Sequence, residues 1–387
     1  MTRLIFLALI SLCSITTHAQ HQAIGAWREH LPYNRGKMVA DAGSKVYCAT
    51  EDGLFAYVKE DGNLERYTRL TGLHDFGISS IAFDKNKEVL IIGYTNANID
   101  LIYSDGRIFN IPFIKEKNIT GSKSINSIYS KDGLEYLACG FGIVVLDPAR
   151  QEIKDSYFIG PGGSSLNILD ISSDGNYIYA ASDSGVYSAP VTTNLADYNN
   201  WSRILDDANN AGDYNKIIFF GGKIYVNYAQ PDAQFSNTDD LYINNGGVWS
   251  LFQIPELPSQ PKRYSLRVIN DELVVANENS VSVFNSSWQL VTRIDNTIYT
   301  DPQIRDGWKE GNGVIWIADK RRGLVRVANS IASIITPSGP SSAYTGDIQI
   351  ENNVLWVVHG PKSISWSPQE YPIDGFSCYK DGTWSSY

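Results

Sequence analysis

Short apolar runs alternate with turns rich in Gly and Asp along the chain from residue 37 onward. Each unit has the pattern of four strands: a short apolar strand, a strongly apolar strand, an aromatic-rich strand after a glycine turn, and a last strand. The second and third strands repeat most clearly at residues 46–57, 177–187 and 314–327. No segment spaces its apolar residues as a helix does over three turns. The pattern therefore predicts an all-β chain made of one repeated four-stranded unit.

The repeat predicts a β-propeller. Further copies of the paired strands occur at residues 89–103, 136–146, 223–243, 272–284 and 354–366, which gives eight units at intervals of roughly 33 to 50 residues. That period is typical of four-stranded blades, and blades bury both faces when they stack around an axis. We expect seven or eight antiparallel blades.

The outermost strands suggest how the ring closes. They share a tryptophan, at Trp201, Trp249, Trp288 and Trp384, and an extra copy lies at residues 25–30. An added N-terminal strand would complete a blade and hide open sheet edges. We therefore divide the chain into a signal peptide at 1–19, a closing strand at 20–36, blades at 37–340, and a segment at 341–387. This last segment is either the final blade or the start of a truncated second propeller.

Composition and charge narrow the class of protein. With 43% hydrophobic and 12% aromatic residues the chain has ample apolar surface for a core, and its net charge of −10 disfavours nucleic-acid binding. The first residues resemble a signal peptide cut before Gln20, so we expect an exported protein of the periplasm or the outer-membrane cell surface. No later run reaches the length of a membrane span. Cys48 and Cys139 fall in inner strands, where packed thiols are expected.

The sequence offers little catalytic chemistry. Histidines are few, no GxSxG elbow is present, and no cysteine or histidine spacing indicates a metal. Paired acids at Asp206-Asp207 and Asp239-Asp240 leave a glycosidase or lyase open, although solvated turns are the simpler interpretation. We expect no catalytic residue, cofactor or metal.

Two loops stand out as candidate recognition elements. Lys320, Arg321 and Arg322 form a basic cluster in a predicted second-to-third-strand turn, where it could contact phosphate or a sugar carboxylate. A solvated turn is the alternative. A long polar insertion at 229–240 lengthens the corresponding turn of another unit.

With these repeats in view, the chain resembles the N-terminal propeller of the PorZ family, components of the type IX secretion system of Bacteroidetes. The resemblance rests on residues 27–34, the first blade at 46–55, residues 70–73 and residues 335–342. The blade pattern is shared with the periplasmic propellers of hybrid two-component sensors. Family members carry two seven-bladed propellers and a small β-sandwich, whereas this sequence covers one propeller.

The resemblance implies a non-enzymatic cell-surface scaffold in the attachment complex. Its partners would be the secretion system's sortase and other attachment-complex proteins, and it would bind anionic lipopolysaccharide. The alternative is a periplasmic sensory propeller of a carbohydrate-responsive hybrid two-component system. The family role supplies no catalytic residues.

Overall fold

The strands in the described part of this chain form eight four-stranded antiparallel sheets, each made from four consecutive strands. The computed structural model describes residues 27–206, 212–230, 238–257, 261–360 and 375–387. The predicted all-β propeller class is confirmed. The predicted signal peptide lies outside the described residues, as does most of the insertion at 229–240.

The first four sheets, called blades 1 to 4, follow the chain from residue 36 to residue 205. Blade 1 comprises β1 (Gly36–Asp41), β2 (Lys45–Thr50), β3 (Leu54–Val58) and β4 (Leu64–Tyr67). Blade 2 comprises β5 (Ile78–Asp84), β6 (Val89–Tyr94), β7 (Ile99–Tyr103) and β8 (Ile108–Ile111). Blade 3 comprises β9 (Ile125–Lys131), β10 (Leu134–Cys139), β11 (Gly142–Asp147) and β12 (Glu152–Tyr157). Blade 4 comprises β13 (Ile168–Ser173), β14 (Tyr177–Ser182), β15 (Gly185–Pro190) and β16 (Ser202–Leu205).

Blades 5 to 8 follow in the same way. Blade 5 comprises β17 (Asp213–Phe220), β18 (Lys223–Ala229), β19 (Asp239–Asn245) and β20 (Val248–Leu251). Blade 6 comprises β21 (Arg263–Ile269), β22 (Glu272–Asn277), β23 (Val281–Phe284) and β24 (Leu290–Ile294). Blade 7 comprises β25 (Ile304–Lys309), β26 (Ile315–Asp319), β27 (Gly323–Ala328) and β28 (Ile331–Ile335). Blade 8 comprises β29 (Thr345–Glu351), β30 (Val354–His359), β31 (Phe376–Lys380) and β32 (Thr383–Ser386).

Among the described residues, helices occur only in connections between strands. A four-residue α-helix, α1, spans Phe113–Glu116, and 3-10 turns span Arg69–Thr71, Pro161–Gly163 and Tyr198–Asn200.

Seven of the blades close into a ring. The first strand of each blade contacts the first strand of the next, through β1, β5, β9, β13, β17, β21 and β25, and β25 returns to β1. Apolar side chains fill the space between neighbouring blades, as in the cluster that joins Ala138 and Val145 of blade 3 to Ile171 and Ala180 of blade 4. Burial of these facing surfaces is what holds the blades together.

Two inner-strand cysteines illustrate this packing. Cys48 and Cys139 are free thiols with no exposed surface, and burial raises the pKa of both. The interpretation of these residues as packed thiols is confirmed.

Blade 8 lies outside the cycle of seven. Its inner strand β29 is exposed along almost its whole length, and Ile348 and Ile350 are 58% and 74% exposed. The connector, residues 336–344, ties it to the ring: the backbone N–H of Ser341 donates to Ser377 Oγ at 3.1 Å, and that of Trp384 donates to Ser338 Oγ at 2.9 Å.

The N-terminal segment differs from the expected closing strand. The chain divides into compact units Met1–His30 and Leu31–Tyr387, and residues 27–35 form no strand. Instead, the backbone N–H of Gly323 in blade 7 donates to Asn34 O at 2.8 Å, and that of Glu51 in blade 1 donates to Arg35 O at 3.0 Å. Because blades 7 and 8 each contain four strands of their own, the segment bridges two hairpins of the ring instead of extending a sheet.

Candidate ligand-binding site

The inner strands of the seven ring blades surround a central channel of about 790 Å³. Every ring blade contributes side chains to its wall, and hydroxyl, amide, aromatic and charged groups all occur there. A concave site with converging polar groups is the usual form of a ligand pocket. The channel is therefore the candidate ligand-binding site.

Each inner strand carries a β-bulge near its start, after the second residue in β17 and after the first residue in the others. In β1, for example, Gly36 pairs with Thr50 and Met38 with Ala49, which leaves Lys37 as the extra residue. A bulge turns its extra side chain away from the regular alternation. The extra residues of the seven ring blades, all half-buried, are called the bulge ring: Lys37, Ser79, Asn126, Leu169, Asn215, Tyr264 and Arg305.

The bulge ring is basic. It contains two cations, Lys37 and Arg305, and no carboxylate, and these two residues lie at equivalent positions of adjacent strands β1 and β25. Lys37 Nζ donates to Ile78 O at 2.9 Å. Burial lowers the pKa of Lys37, although the charges of Glu51 and Asp52 oppose that shift. The Lys37 ammonium is thus incompletely solvated and lies at the seam between blades 1 and 2.

Arg305 packs against blade 6, through Tyr264 and Glu278. The guanidinium carbon lies 4.1 Å from the centroid of the Tyr264 ring, and Nη1 donates to Ile304 O at 2.9 Å. Arg305 Nη2 also forms an ion pair with Glu278 Oε1 at 3.6 Å. Stacking on an aromatic ring fixes the plane of the guanidinium.

The carboxylates of the channel wall already have partners. Asp306 Oδ2 accepts the backbone N–H of Val39 at 3.0 Å and Arg267 Nη2 at 2.7 Å, and so joins blade 7 to blades 1 and 6. Asp41 forms a 2.6 Å ion pair with Lys59. Asp170 Oδ2 accepts the backbone N–H of Ile217, across the seam between blades 4 and 5, at 3.0 Å. Asp306 and Asp170 thus link neighbouring blades, whereas Asp41 pairs within blade 1.

The basic cluster occupies the hairpin between β26 and β27, as predicted. Arg321 Nη1 contacts Asp301 Oδ2, and Arg322 donates to Asp301 O and Thr300 O, each at 2.7 Å. Arg322 also lies over the Tyr299 ring. Lys320 is exposed and its backbone N–H donates to Gln303 O at 2.8 Å, two residues before Arg305. The hairpin therefore borders the same mouth of the channel as the bulge ring, with two of its three cations engaged within the protein.

Residues considered for catalysis have structural partners. His74 Nδ1 lies 2.9 Å from Asp100 Oδ1, and this fully buried carboxylate also accepts Tyr94 OH at 2.7 Å. Asp239 is buried and accepts the backbone N–H of Arg263 at 2.7 Å. Asp207 lies outside the described residues. In the part of the chain that the structure describes, no group of three or more His, Cys, Asp or Glu side chains could hold a metal ion.

Sequence reasoning placed the basic hairpin but missed the bulge ring. Lys37, Tyr264 and Arg305 sit next to the first residue of their strands, where a polar side chain also fits an ordinary turn. A bulge becomes visible only once the pairing partner of each residue is known, because register is a property of two strands.

Comparison with known proteins supports a resemblance to one family. Residues 46–202 match the model described as TSS9, PorZ, N-terminal beta-propeller domain. The predicted resemblance to the PorZ family is confirmed. No curated protein matches the chain. Among the residues that the structure describes, no helix has the length and apolar character needed to cross a membrane.

Solved structures agree on the fold. PorZ of Porphyromonas gingivalis, described as an essential bacterial surface component of the type-IX secretion system, has a TM-score of 0.73 at 20% identity over 94% of this chain. The chain spans 46% of that protein's length. The extracellular domain of a hybrid two-component system from B. thetaiotaomicron has a TM-score of 0.57 at 14% identity, covering 92% of this chain and 48% of that one. The WD40 propeller of Doa1 has a TM-score of 0.55 at 16% identity, covering 79% of this chain and 97% of that one.

Proposed function

We propose that this chain is a non-enzymatic scaffold of the type IX secretion attachment complex, exported to the periplasm or the outer-membrane cell surface. The observation that carries the proposal is the match of residues 46–202 to the PorZ N-terminal propeller. The ring suits a scaffold because linked blades hold the loops at its two rims in fixed positions. The secretion system's sortase and other attachment-complex proteins are the proposed partners.

We also propose that residues 37–340 form a first propeller and that residues 341–387 are the start of a second one. Support comes from blade 8, whose inner strand β29 has the same bulge, at Gly346, as the ring strands. Asp347 occupies the position at which Asp306 and Asp170 each accept a backbone N–H of the following blade. An exposed strand with this register is suited to packing against another blade.

Affinity purification tests the scaffold role. The tagged chain, expressed in its own bacterium and cross-linked before detergent extraction, should recover the sortase and other attachment-complex proteins. The matched control is the same tag on an unrelated exported β-propeller. Recovery of a sensor histidine kinase instead would favour the two-component alternative, for which the similar fold of the B. thetaiotaomicron domain is the support. Recovery of neither class would contradict the scaffold proposal.

We also propose that the basic hairpin contacts anionic lipopolysaccharide. Replacing Lys320, Arg321 and Arg322 together by Ala should weaken binding to lipopolysaccharide of the same bacterium several-fold at low salt, with little difference at high salt. The physical reason is that exposed charges are screened by ions. Surface plasmon resonance on captured lipopolysaccharide measures the effect. Replacing the exposed Arg107 and Arg150 by Ala is the control, and equal binding by all three proteins would remove the hairpin from the proposal.

A further inference from the structure

We propose that the loop between β4 and β5, residues 68–77, is a docking site for a protein partner that presents an apolar side chain beside a carboxylate. The docking residues are Arg69, Leu70 and Phe76, and together they are called the rim patch. The proposal rests on the scaffold role proposed above, since it names a surface through which the scaffold would hold its partner. The rim patch is separate from the channel wall and from the basic hairpin.

The rim patch exposes apolar surface at one end of the ring. Leu70 is 53% exposed and Phe76 is 57% exposed. The Arg69 guanidinium carbon lies 4.9 Å from the centroid of the Phe76 ring, and this stacking fixes the plane of the guanidinium. Aromatic residues and arginine are enriched at protein–protein interfaces, so the composition of the patch fits a binding surface.

The loop behind the patch is held in place by polar and apolar contacts. Thr68 Oγ1 accepts the Leu70 N–H at 3.2 Å and so caps the 3-10 turn that follows β4. Leu73 is buried in the core between blades 1 and 2. The backbone N–H of His74 donates to the buried Asp100 carboxylate at 2.9 Å. A surface that is fixed before binding loses less conformational entropy when a partner binds.

The charge of the patch favours an acidic segment of the partner. Among the described residues Arg69 forms no ion pair, although the chain as a whole carries a net charge of −10. The acid of the loop, Asp75, already has a cation, since Lys115 Nζ lies 2.6 Å from its Oδ2. Burial alone would raise the pKa of Asp75, but hydrogen bonds from Lys115 and Asn96 outweigh burial and hold the pKa below its usual value. The Arg69 charge therefore remains for a carboxylate of the partner.

A second copy of the chain fits the rim patch less well than a different protein. A two-fold contact through the patch would place the two Arg69 charges against each other, and like charges oppose association. Three partly exposed side chains also provide much less than the about 800 Å² that each partner buries in a stable interface. The patch is thus the centre of a larger interface with another protein.

Cross-linked affinity purification of the tagged chain tests the apolar part of the patch, with recovered attachment-complex proteins measured by quantitative mass spectrometry. The variant Leu70→Ser with Phe76→Ser should recover about fivefold less partner or lower, because both changes remove apolar surface that binding would bury. The matched control, Ile331→Ser with Ile334→Ser, removes apolar side chains from the outer strand β28, where they are 69% and 62% exposed. The control should recover as much partner as the original chain.

The charge of Arg69 is tested in a second series, which decides the question if the apolar variant does not fold. Arg69→Glu should lower recovery more than Arg69→Gln, and Arg69→Lys should retain part of it, since the partner's carboxylate still meets a cation. Arg107→Glu is the control, because Arg107 is 71% exposed and stacks on an aromatic ring, that of Tyr103, at 5.2 Å. This control should recover the partner as the original chain does.

The outcomes separate the rim patch from the scaffold role. If the original chain recovers no attachment-complex protein, the scaffold role fails and the proposal fails with it. If the original chain recovers them and the folded apolar variant recovers them equally, the rim patch is rejected while the scaffold role stands. An equal loss in the β28 control also rejects the patch, since any exposed apolar surface would then suffice. Unchanged recovery with Arg69→Glu rejects the acidic partner segment.

Discussion

Glu135 shows how one buried side chain makes stability depend on pH. It lies in β10 with no exposed surface, and Ser130 Oγ donates to its Oε2 at 2.7 Å. Burial raises the pKa of this carboxyl group to about 7, Asp84 adds to the shift, and the Ser130 hydrogen bond opposes it. The folded protein therefore holds the Glu135 proton at pH values where the unfolded chain has released it.

The sign of the effect follows from proton binding. Between the ordinary glutamate pKa and about 7 the folded state binds more protons than the unfolded state, so the free energy of unfolding falls as pH rises. Glu135→Gln removes this dependence. We expect the variant to be more stable than the original protein by up to about 3 kcal/mol at pH 8 and by less than about 1 kcal/mol at pH 5. Urea unfolding at both pH values measures the difference.

The control for this prediction is Glu152→Gln, at an exposed acid of the same blade. It should follow the original protein at both pH values. A Glu135→Gln variant with equal stabilisation at pH 5 and pH 8 would contradict the assigned cause, since shape and not proton binding would then explain the gain.

At the scale of elements, the hydroxyl of Ser377 is central to the attachment of blade 8. Ser377 Oγ lies 2.7 Å from His359 Nε2, 2.9 Å from Ser386 Oγ and 3.2 Å from Ser341 Oγ, and it accepts the Ser341 backbone N–H. Ser377 thus joins three strands of blade 8 to the connector. Buried polar groups that lose such a partner remain unpaired, which costs about 1 to 3 kcal/mol for each group.

We therefore expect Ser377→Ala to loosen blade 8 and leave the ring intact. Hydrogen exchange should become faster in residues 341–344 and 376–386, with unchanged protection in β1 and β25. Ser385→Ala, at an exposed position of the same sheet, is the control and should leave exchange unchanged. Equal loss of protection in blade 8 and the ring would show that they unfold as one unit.

The elements also show what a sequence pattern can predict. The hydrophobic alternation located the central strands of each unit, because a strand in a packed blade must be apolar on its buried faces. Tryptophan marked the fourth strands less well: Trp249 and Trp384 lie within β20 and β32, whereas Trp201 and Trp288 precede β16 and β24. At Trp288 the indole Nε1 donates to Tyr225 OH of the previous blade, so this tryptophan makes a contact between blades instead of lying in a fourth strand.

At the scale of the whole molecule, seven of the eight blades form the ring. The sequence pattern predicts the number of repeated units but not how many of them belong to one ring. The number of blades in a ring depends on which inner strands pack together. Here β25 of blade 7 packs against β1 of blade 1 and closes the ring. The extra copy at residues 25–30 predicted closure by a strand. A tryptophan motif reads the same in a strand and in a loop, so the sequence alone could not distinguish the two. In the structure the described part of that copy, residues 27–30, forms no strand.

Tyr33 lies at the contact between blades 1 and 7, where the ring closes. This residue is buried with 3% exposure, meets Phe55 of blade 1 edge-to-face at a centroid distance of 5.7 Å, and shares a cluster with Trp316 and Leu324 of blade 7. Tyr33→Ala should lower the free energy of unfolding by about 3 to 5 kcal/mol, since it leaves a cavity between the first and last blades of the ring.

Thermal and urea unfolding measure this loss, and hydrogen exchange locates it. If Tyr33 holds the seam, protection should fall first in β1 and β25, while β13 in the opposite half of the ring keeps its protection under native conditions. Tyr177→Ala, at a tyrosine that is 43% exposed, is the matched control and should cost about 1 kcal/mol or less. A Tyr33→Ala protein as stable as the control would mean that inner-strand contacts and the Asp306 link to Val39 close the ring without the N-terminal segment.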